Sequence, residues 1–326
     1  MKKLLITIIA LFSLNIQAAN DATFAVNGEK IYSPTLAGCF LIYMIAPDRL
    51  AGWSGSLKQH ELEYLPEKYQ KLPMLGGWWK SEPINKDLIA KHKITKAFLL
   101  GTPKKLTSHV DELKGMGMDI LILDADFIED YIALYEELGR QMGLTARGKE
   151  LAAFGREMID KTRAMVKDIP DSEKKSVYAG SGPKGLSAMC YMDAMEIAGG
   201  KNAVTCPEGT NPHSEQSMTL EQVKALNADV MLITNPAGAQ VMKDPAWLDL
   251  PAYKEKRLIV VPHGPLGWLH HFTPYTRFIG APWLAATLYP EKCNIDITKE
   301  AKRYYKLFFG ITLSDKQLKQ IMYKYN

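Results

Sequence analysis

Residues 145–168 constrain this chain most. They form one long helical pattern, with Leu151, Phe154, Met158, Thr162 and Met165 on one face and charges on the others. Ile169-Pro170 ends it, because proline cannot continue a helix. At the helical rise such a segment reaches roughly 35 Å, the width of a domain. On both sides of it, short helical patterns alternate with four-residue apolar runs, which is the signature of a parallel sheet covered by helices. The fold class predicted is therefore α/β: two α/β lobes with mostly parallel central sheets, joined by one long rigid helix. The boundaries expected are a first lobe at 19–144, the connecting helix at 145–168 and a second lobe at 169–326.

In the first lobe, Ser33-Pro34 reads as a helix start, with proline at the first helical position, and residues 36–45 as a mostly buried helix. A short strand is expected over 22–26. Helices at 84–92, 104–116 and 126–142 alternate with strands at 97–100 and 120–123. In the second lobe, strands are expected at 176–179, 230–233 and 258–261, with helices at 189–197 and 219–226. Amphipathic helices at 299–309 and 314–323 close the chain. One unit occurs twice. Asp87-Leu88-Ile89-Ala90 leads to Ala97-Phe98-Leu99-Leu100, and Glu221-Gln222-Val223-Lys224 leads to Val230-Met231-Leu232-Ile233. Each copy is a short helix headed by an acid, then a buried strand, which fits two similar lobes facing each other.

Lys2-Lys3 followed by an apolar stretch to Ile16 and then Gln17-Ala18 reads as a secretory signal peptide, residues 1–18. It lacks a cysteine at the cut, so no lipid anchor is expected, and no later stretch is apolar for long enough to span a bilayer. About 300 residues would remain, enough for two lobes with separate cores. The net charge of +4 is dispersed, with no basic block interleaved with aromatics, so nucleic acid is a poor partner. None of the four cysteines makes a C-x-x-C pair, which argues against structural zinc. In an oxidising compartment Cys190 and Cys206 are close enough in sequence to pair, although spacing alone does not fix the geometry. Cys39, in an apolar run, reads as a small buried hydrophobe.

Residues 260–290 mix Trp268, His270, His271, Phe272, Tyr275 and Arg277 with glycines and prolines. Such a loop fits a bulky, partly polar ligand, because aromatics supply area at low entropy cost and a few polar groups fix orientation. The plain alternative is a loop whose aromatics cover the domain. Trp53, Trp78 and Trp79 are first-lobe candidates for the same cleft, and Tyr191 and His213 join Trp268, His270, His271, Tyr275 and Arg277 in the second. Flat rings stack on macrocycles or catecholates, arginine pairs with acidic oxygens, and a histidine, His271 foremost, completes an open metal position. Each also has a structural alternative. Adjacent residues in an extended chain point opposite ways, so only one of Trp78 and Trp79, and one of His270 and His271, faces a ligand. Arg277 serves equally well as a brace for its loop. His213, in the polar stretch 208–216, reads as solvated. Met189, Met192 and Met195 read as core.

The chain resembles the periplasmic solute-binding proteins of ABC importers for siderophores, haem, vitamin B12 and related metal compounds, the class in which two lobes share one long helix. The resemblance spans nearly all of the expected mature chain. It rests on Leu75-Gly76-Gly77 before Ile84-Asn85-Lys86-Asp87-Leu88-Ile89, the helix after Gly143-Leu144-Thr145, and Ala198-Gly199-Gly200-Lys201-Asn202. It rests also on Ser217-Met218-Thr219-Leu220-Glu221-Gln222-Val223, Asn227-Ala228-Asp229-Val230, and Gly280-Ala281-Pro282-Trp283-Leu284-Ala285 with Leu288-Tyr289-Pro290. It implies a ligand cleft between the lobes, a periplasmic location, and partners in an ABC permease and its ATPase. It implies that one acid per lobe docks onto permease arginines. The matching positions are Asp87 and Glu221; the family more often has glutamate at the first, so Asp87 has a shorter reach. Both are also ordinary helix-start acids, favoured by the helix dipole.

The resemblance implies a monomer with no intrinsic cofactor, whose metal chelate is cargo: siderophore, haem, corrinoid or nickel complex. The alternative is a small oxyanion such as molybdate or tungstate. It requires a small dry site of backbone amides at a helix start such as Ser33-Pro34 or at the turn Gly180-Ser181-Gly182. An exported enzyme is the third class. No nucleophile elbow, phosphate loop, metal-hydrolase histidine pair or paired-carboxylate motif is present to support it.

Overall fold

The computed structural model of this chain describes residues 24, 28–79, 81–102, 104, 106–211, 213–234, 241, 243–269 and 273–323, the side chains of residues 60, 79 and 323 excepted. The expected signal segment and nearly all of the expected strand at 22–26 lie outside these residues. The first sheet has three parallel strands in the order β1 (Ile31–Tyr32), β4 (Lys96–Leu100), β5 (Asp119–Leu123). Between β1 and β4 come α1 (Leu36–Ile45), α2 (Gln59–Leu62), α3 (Glu67–Gln70), a small antiparallel hairpin of β2 (Trp78–Trp79) with β3 (Glu82–Pro83), and α4 (Lys86–Lys91). Helices α5 (Thr107–Gly115) and α6 (Asp130–Gln141) follow β4 and β5.

Then comes α7 (Thr145–Val166), twenty-two residues long, or about 33 Å. The second sheet runs β11 (Leu258–Val260), β10 (Val230–Ile233), β6 (Ser176–Ser181), β7 (Ser187–Met189), β9 (Glu215–Ser217), with β8 (Lys201–Asn202) also on β6. β6, β10 and β11 are parallel, while β7 and β9 add antiparallel edges. Helix α8 (Asp193–Ile197) follows β7, and α9 (Leu220–Ala225) precedes β10. The helix expected over 189–197 is thus a strand end plus a shorter helix. Met189 is drawn into the sheet, where its register partner is Glu215 of β9. Met189, Met192 and Met195 are all buried.

The expectation of two separate cores needs revision. Each sheet has an outer core, Tyr32, Leu75, Leu99 and Leu113 in the first lobe and Tyr178, Ile233, Val223 and Trp247 in the second. The largest cluster lies between them and draws on both lobes, from Phe40 and Tyr135 through Phe154 and Met158 of α7 to Phe278, Tyr304 and Phe308. Helix α7 is therefore packed on several sides, not a free rod. Its Gly148 crosses α6 at Gly139 so closely that an added Cβ at Gly148 would overlap the Tyr135 carbonyl oxygen. The closing helices, expected with the second lobe, also reach the first. Tyr43 of α1 donates its hydroxyl to the Phe309 carbonyl at 2.6 Å. Arg147 of α7 caps the carbonyl end of α1 by donating to Met44 O at 3.0 and 3.1 Å, and it also reaches Leu307 O. Among the described residues no helix is long and apolar enough to cross a membrane.

Candidate functional site

The seam between the lobes is built on Asp193, the first residue of α8. Its Oδ1 accepts from Arg277 Nη1 at 2.6 Å, and its Oδ2 accepts from the Ile128 N–H of the first lobe at 2.7 Å. Both side chains are almost fully buried, so water screens the pair little. Beside it, Phe127 packs edge-on to Tyr191 and flat against His213, with ring centroids 5.6 and 5.7 Å apart. His213 Nε2 lies 3.3 Å from Asp126 Oδ1, a second polar contact across the seam. A disulfide between Cys190 and Cys206, Cα atoms 5.6 Å apart, ties down the segment that carries Tyr191. Tyr191 remains over a third exposed and donates its hydroxyl to Glu196 at 3.0 Å. Burial of its hydroxyl end and the Glu196 carboxylate push its pKa up.

A second cluster surrounds the start of α1. Thr35, with extended backbone, is the N-cap, and its Oγ1 accepts from Gly38 N–H at 3.2 Å. Pro34 therefore stands just outside the helix, not at its first position. The β2–β3 hairpin presses on this start: Trp78 N–H donates to Pro34 O at 3.2 Å, and Tyr32 OH donates to Gly76 O at 2.7 Å. Glycine is required there. Gly76 is left-handed with φ +71°, and an added Cβ at Gly77 would overlap Pro34 O and crowd Ser54. The hydroxyls of Ser33 and Ser54 are fully buried in this cluster; Ser54 lies against the Cys39 thiol, and the Ser33 hydroxyl and the buried Trp78 indole N–H have no hydrogen-bond partner among the described residues.

The comparisons fit this architecture. No family model matches the sequence. An ABC transporter solute binding protein from Sulfurospirillum deleyianum is 27% identical over 90% of this chain and 94% of its own, with a TM-score of 0.79. The chain has the two-lobed fold of the class III solute-binding proteins. At 15–16% identity, other solved structures speak for the fold alone. A periplasmic solute binding protein from Veillonella parvula has a TM-score of 0.71, with 91% and 92% covered. The molybdate periplasmic binding protein MolA of Haemophilus influenzae, solved with molybdate, has a TM-score of 0.69, with 89% and 95% covered. MolA is also a curated relative in sequence, 28% identical over 98 residues, a match spanning 29% of this chain and 28% of MolA.

In this chain the residues expected at the cleft are divided by the fold. Trp53, Trp268 and Tyr275 are packed in the core. Trp53 donates its indole N–H to Tyr69 O at 2.9 Å and packs on Phe40. Trp268 donates to Tyr305 OH at 3.1 Å. The reason is the closing segment, whose tyrosines and phenylalanines cover the 260–290 stretch. Arg277 pairs with Asp193 of α8, outside its own loop. Trp78 is half-buried and stacks on His109 with centroids 4.0 Å apart. His213, expected in solvent, sits in the seam with Tyr191. His270 and His271, including the metal role considered for His271, and Phe272 lie outside the described residues, as does the Trp79 side chain. Among the described residues no group of three or more His, Cys, Asp or Glu converges as a bare-metal site. Cys39 is a buried free thiol donating to Ser33 O, and burial pushes its pKa up to about 11.

Sequence reasoning missed Asp126, Phe127 and Asp193. An aspartate at a helix start is too common to flag, and only its long-range partners mark it out. The two echoed acids are placed alike. Asn85 caps α4 by accepting from Leu88 N–H, and Thr219 with Gln222 forms a capping box on α9. Asp87 and Glu221 are each the second residue of their helix, exposed, and paired with no cation among the described residues. A cavity of about 470 Å³, lined by Met74, Glu82, Pro83, Asn85 and Asp87 among others, opens beside the first of them.

Proposed function

We propose that this chain is the periplasmic capture component of an ABC importer, a binding protein and not an enzyme. It holds a small solute between its lobes and delivers it to a permease and its ATPase. The observation that carries the reading is the matched pair of exposed, unpaired acids at the same helical position in each lobe, on a two-lobed frame clasped by α7. Both lobes carry an acid at the second residue of a short helix that leads into a central parallel strand. Such acids are ready to meet cations of a membrane partner, where charge pairing guides orientation and rate. Any metal compound carried is cargo, not a resident cofactor, and no partner subunit is needed to complete the seam.

The test is a double charge reversal, Asp87→Lys with Glu221→Lys. Uptake by cells should collapse while solute affinity of the purified protein stays within about twofold. Loss of affinity with intact docking would place the acids in the binding site instead. A metal chelate as cargo is supported by the Phe127, Tyr191 and His213 cluster, which offers ring faces and an imidazole at the seam. A small oxyanion is supported by the donors at the start of α1.

A further inference from the structure

We infer that the cavity beside Asp87 is a socket for an arginine on a periplasmic loop of the permease. The carboxylates of Asp87 and Glu82 draw the guanidinium in, and its methylene stem lies on Met74, Pro83 and Ile84. The socket presupposes the importer function proposed above and adds to it a recess, a second acid and an apolar rim on the first lobe.

The cavity, about 470 Å³, is walled by the β2–β3 hairpin and the start of α4. Backbone contacts fix this wall. Gly77 N–H donates to Glu82 O at 2.8 Å, and Asn85 N–H donates to Leu75 O at 2.8 Å. An added Cβ at Gly76 would overlap Pro83 O, so the hairpin closes down on a glycine. Ser56 sets the rim. Its N–H and its Oγ both donate to the Glu82 carboxylate, and its Oγ lies 3.2 Å from Met74 Sδ. Met74 is nevertheless 46% exposed, and among the described residues Tyr191 is the other large apolar side chain left so open. A thioether held in solvent beside a carboxylate suits a side chain with an apolar stem and a cationic tip.

Charge decides the occupant. Glu82 and Asp87 both line the cavity, and neither pairs with a cation among the described residues. The donors on Glu82 are neutral and leave its charge uncompensated. Lys86, the one cation in the lining, is paired with Glu112 of α5 at 3.1 Å. A cation is therefore attracted into the recess and an oxyanion is repelled from it. Arginine fits better than lysine, because its planar fork meets carboxylates edge-on while its stem covers apolar surface. Position points to the permease. A partner that meets Asp87 and its counterpart Glu221 together also meets this recess. In the second lobe the stretch before Glu221 is instead the strand β9, laid against β7. The socket thus marks one lobe and gives docking a direction.

The experiment follows the Met74 methyl signal by NMR in the purified, exported protein, with Met74→Leu to assign it. The probe is N-acetyl-arginine amide, and N-acetyl-citrulline amide, its uncharged isostere, is the control. The signal should shift saturably with the arginine probe and on the order of tenfold more weakly with the citrulline one. Glu82→Gln, which still accepts from Ser56, and Asp87→Asn should each weaken the arginine probe about two- to fivefold, with Tm unchanged. In cells, p-benzoyl-phenylalanine incorporated at position 74 should crosslink to a permease loop whose sequenced peptide carries an arginine, and Glu82→Gln should lower the yield. No shift at Met74, or equal shifts with the two probes, overturns the socket. So does a crosslink to a second copy of this chain, or none to a permease. If uptake still collapses in the Asp87→Lys, Glu221→Lys protein, the importer function stands without the socket. Uptake indifferent to those acids overturns both.

Discussion

The two lobes treat the chain just after their first strand in opposite ways. In the first lobe, β1 runs into the start of α1, and the serine there, Ser33, is buried with no hydroxyl partner among the described residues. In the second, β6 turns at Gly182 and comes back as β7, and its serine is fully served. Ser181 Oγ donates to Glu215 Oε1 at 2.6 Å and lies 3.1 Å from Ser187 O. Both stretches read from sequence as places where amides gather for an anion. Antiparallel pairing with β7 and β9 spends the second lobe's amides on a ladder and brings a carboxylate to the turn. The same residue type is thus left in packing in one lobe and tied to a carboxylate in the other, because only the second lobe turns its chain back as a paired strand.

The largest effect that bears on this contrast lies where the lobes meet. Replacing Arg277 with Met should lower stability by about 3–5 kcal/mol in urea unfolding, because it strands the buried Asp193 carboxylate. The further change Asp193→Asn should recover part of that loss. An Arg277 variant as stable as the parent would mean that the seam is not held by this pair. Next, replacing Cys190 and Cys206 with Ser should cost about 3 kcal/mol, as expected for a crosslink closing a loop of this length. It should disturb the second lobe's Tyr191 and His213 while the first lobe's core stays packed, which near-ultraviolet circular dichroism would read.

Smaller still is the direct comparison of the serines. Ser181→Ala should destabilise by about 1–2 kcal/mol, since it removes a partner from Glu215. Ser33→Ala should cost nothing measurable. Equal costs would erase the distinction between a serine left in packing and one tied to an acid. The smallest effect is one of pH. Arg303 and Lys161 hold the Glu157 carboxyl down at about 2, tying α7 to the closing helix at Ile297–Tyr304. Its folded pKa lies below its unfolded one, so its contribution is present above the ordinary carboxylate range and is lost as pH falls from there toward 2. The group is partly exposed, and solvent screens it. Glu157→Gln should therefore lower stability slightly at neutral pH and flatten the acid limb of the stability curve, the two proteins converging as pH falls toward 2.

Much of the frame was legible before any coordinates. Residues 36–45 form a helix because the apolar run is long and Thr35 can cap it. The long helix at Thr145–Val166 announced itself through periodicity, and the paired units around Asp87 and Glu221 through repetition. Local chemistry decides these features, since caps, periods and proline stops act within a few residues. What the sequence left undecided is which side chains meet across long separations. Trp268 looked like a ligand platform until Tyr305, thirty-seven residues later, took its indole N–H. Asp193 looked like a helix-start acid until Arg277 and Ile128 converged on it from two other elements. The serines at α1 looked ordinary until burial removed their water. Burial and partnership are properties of the packed molecule, and they turned an apparent aromatic wall into core and a plain helix-start acid into the centre of the seam.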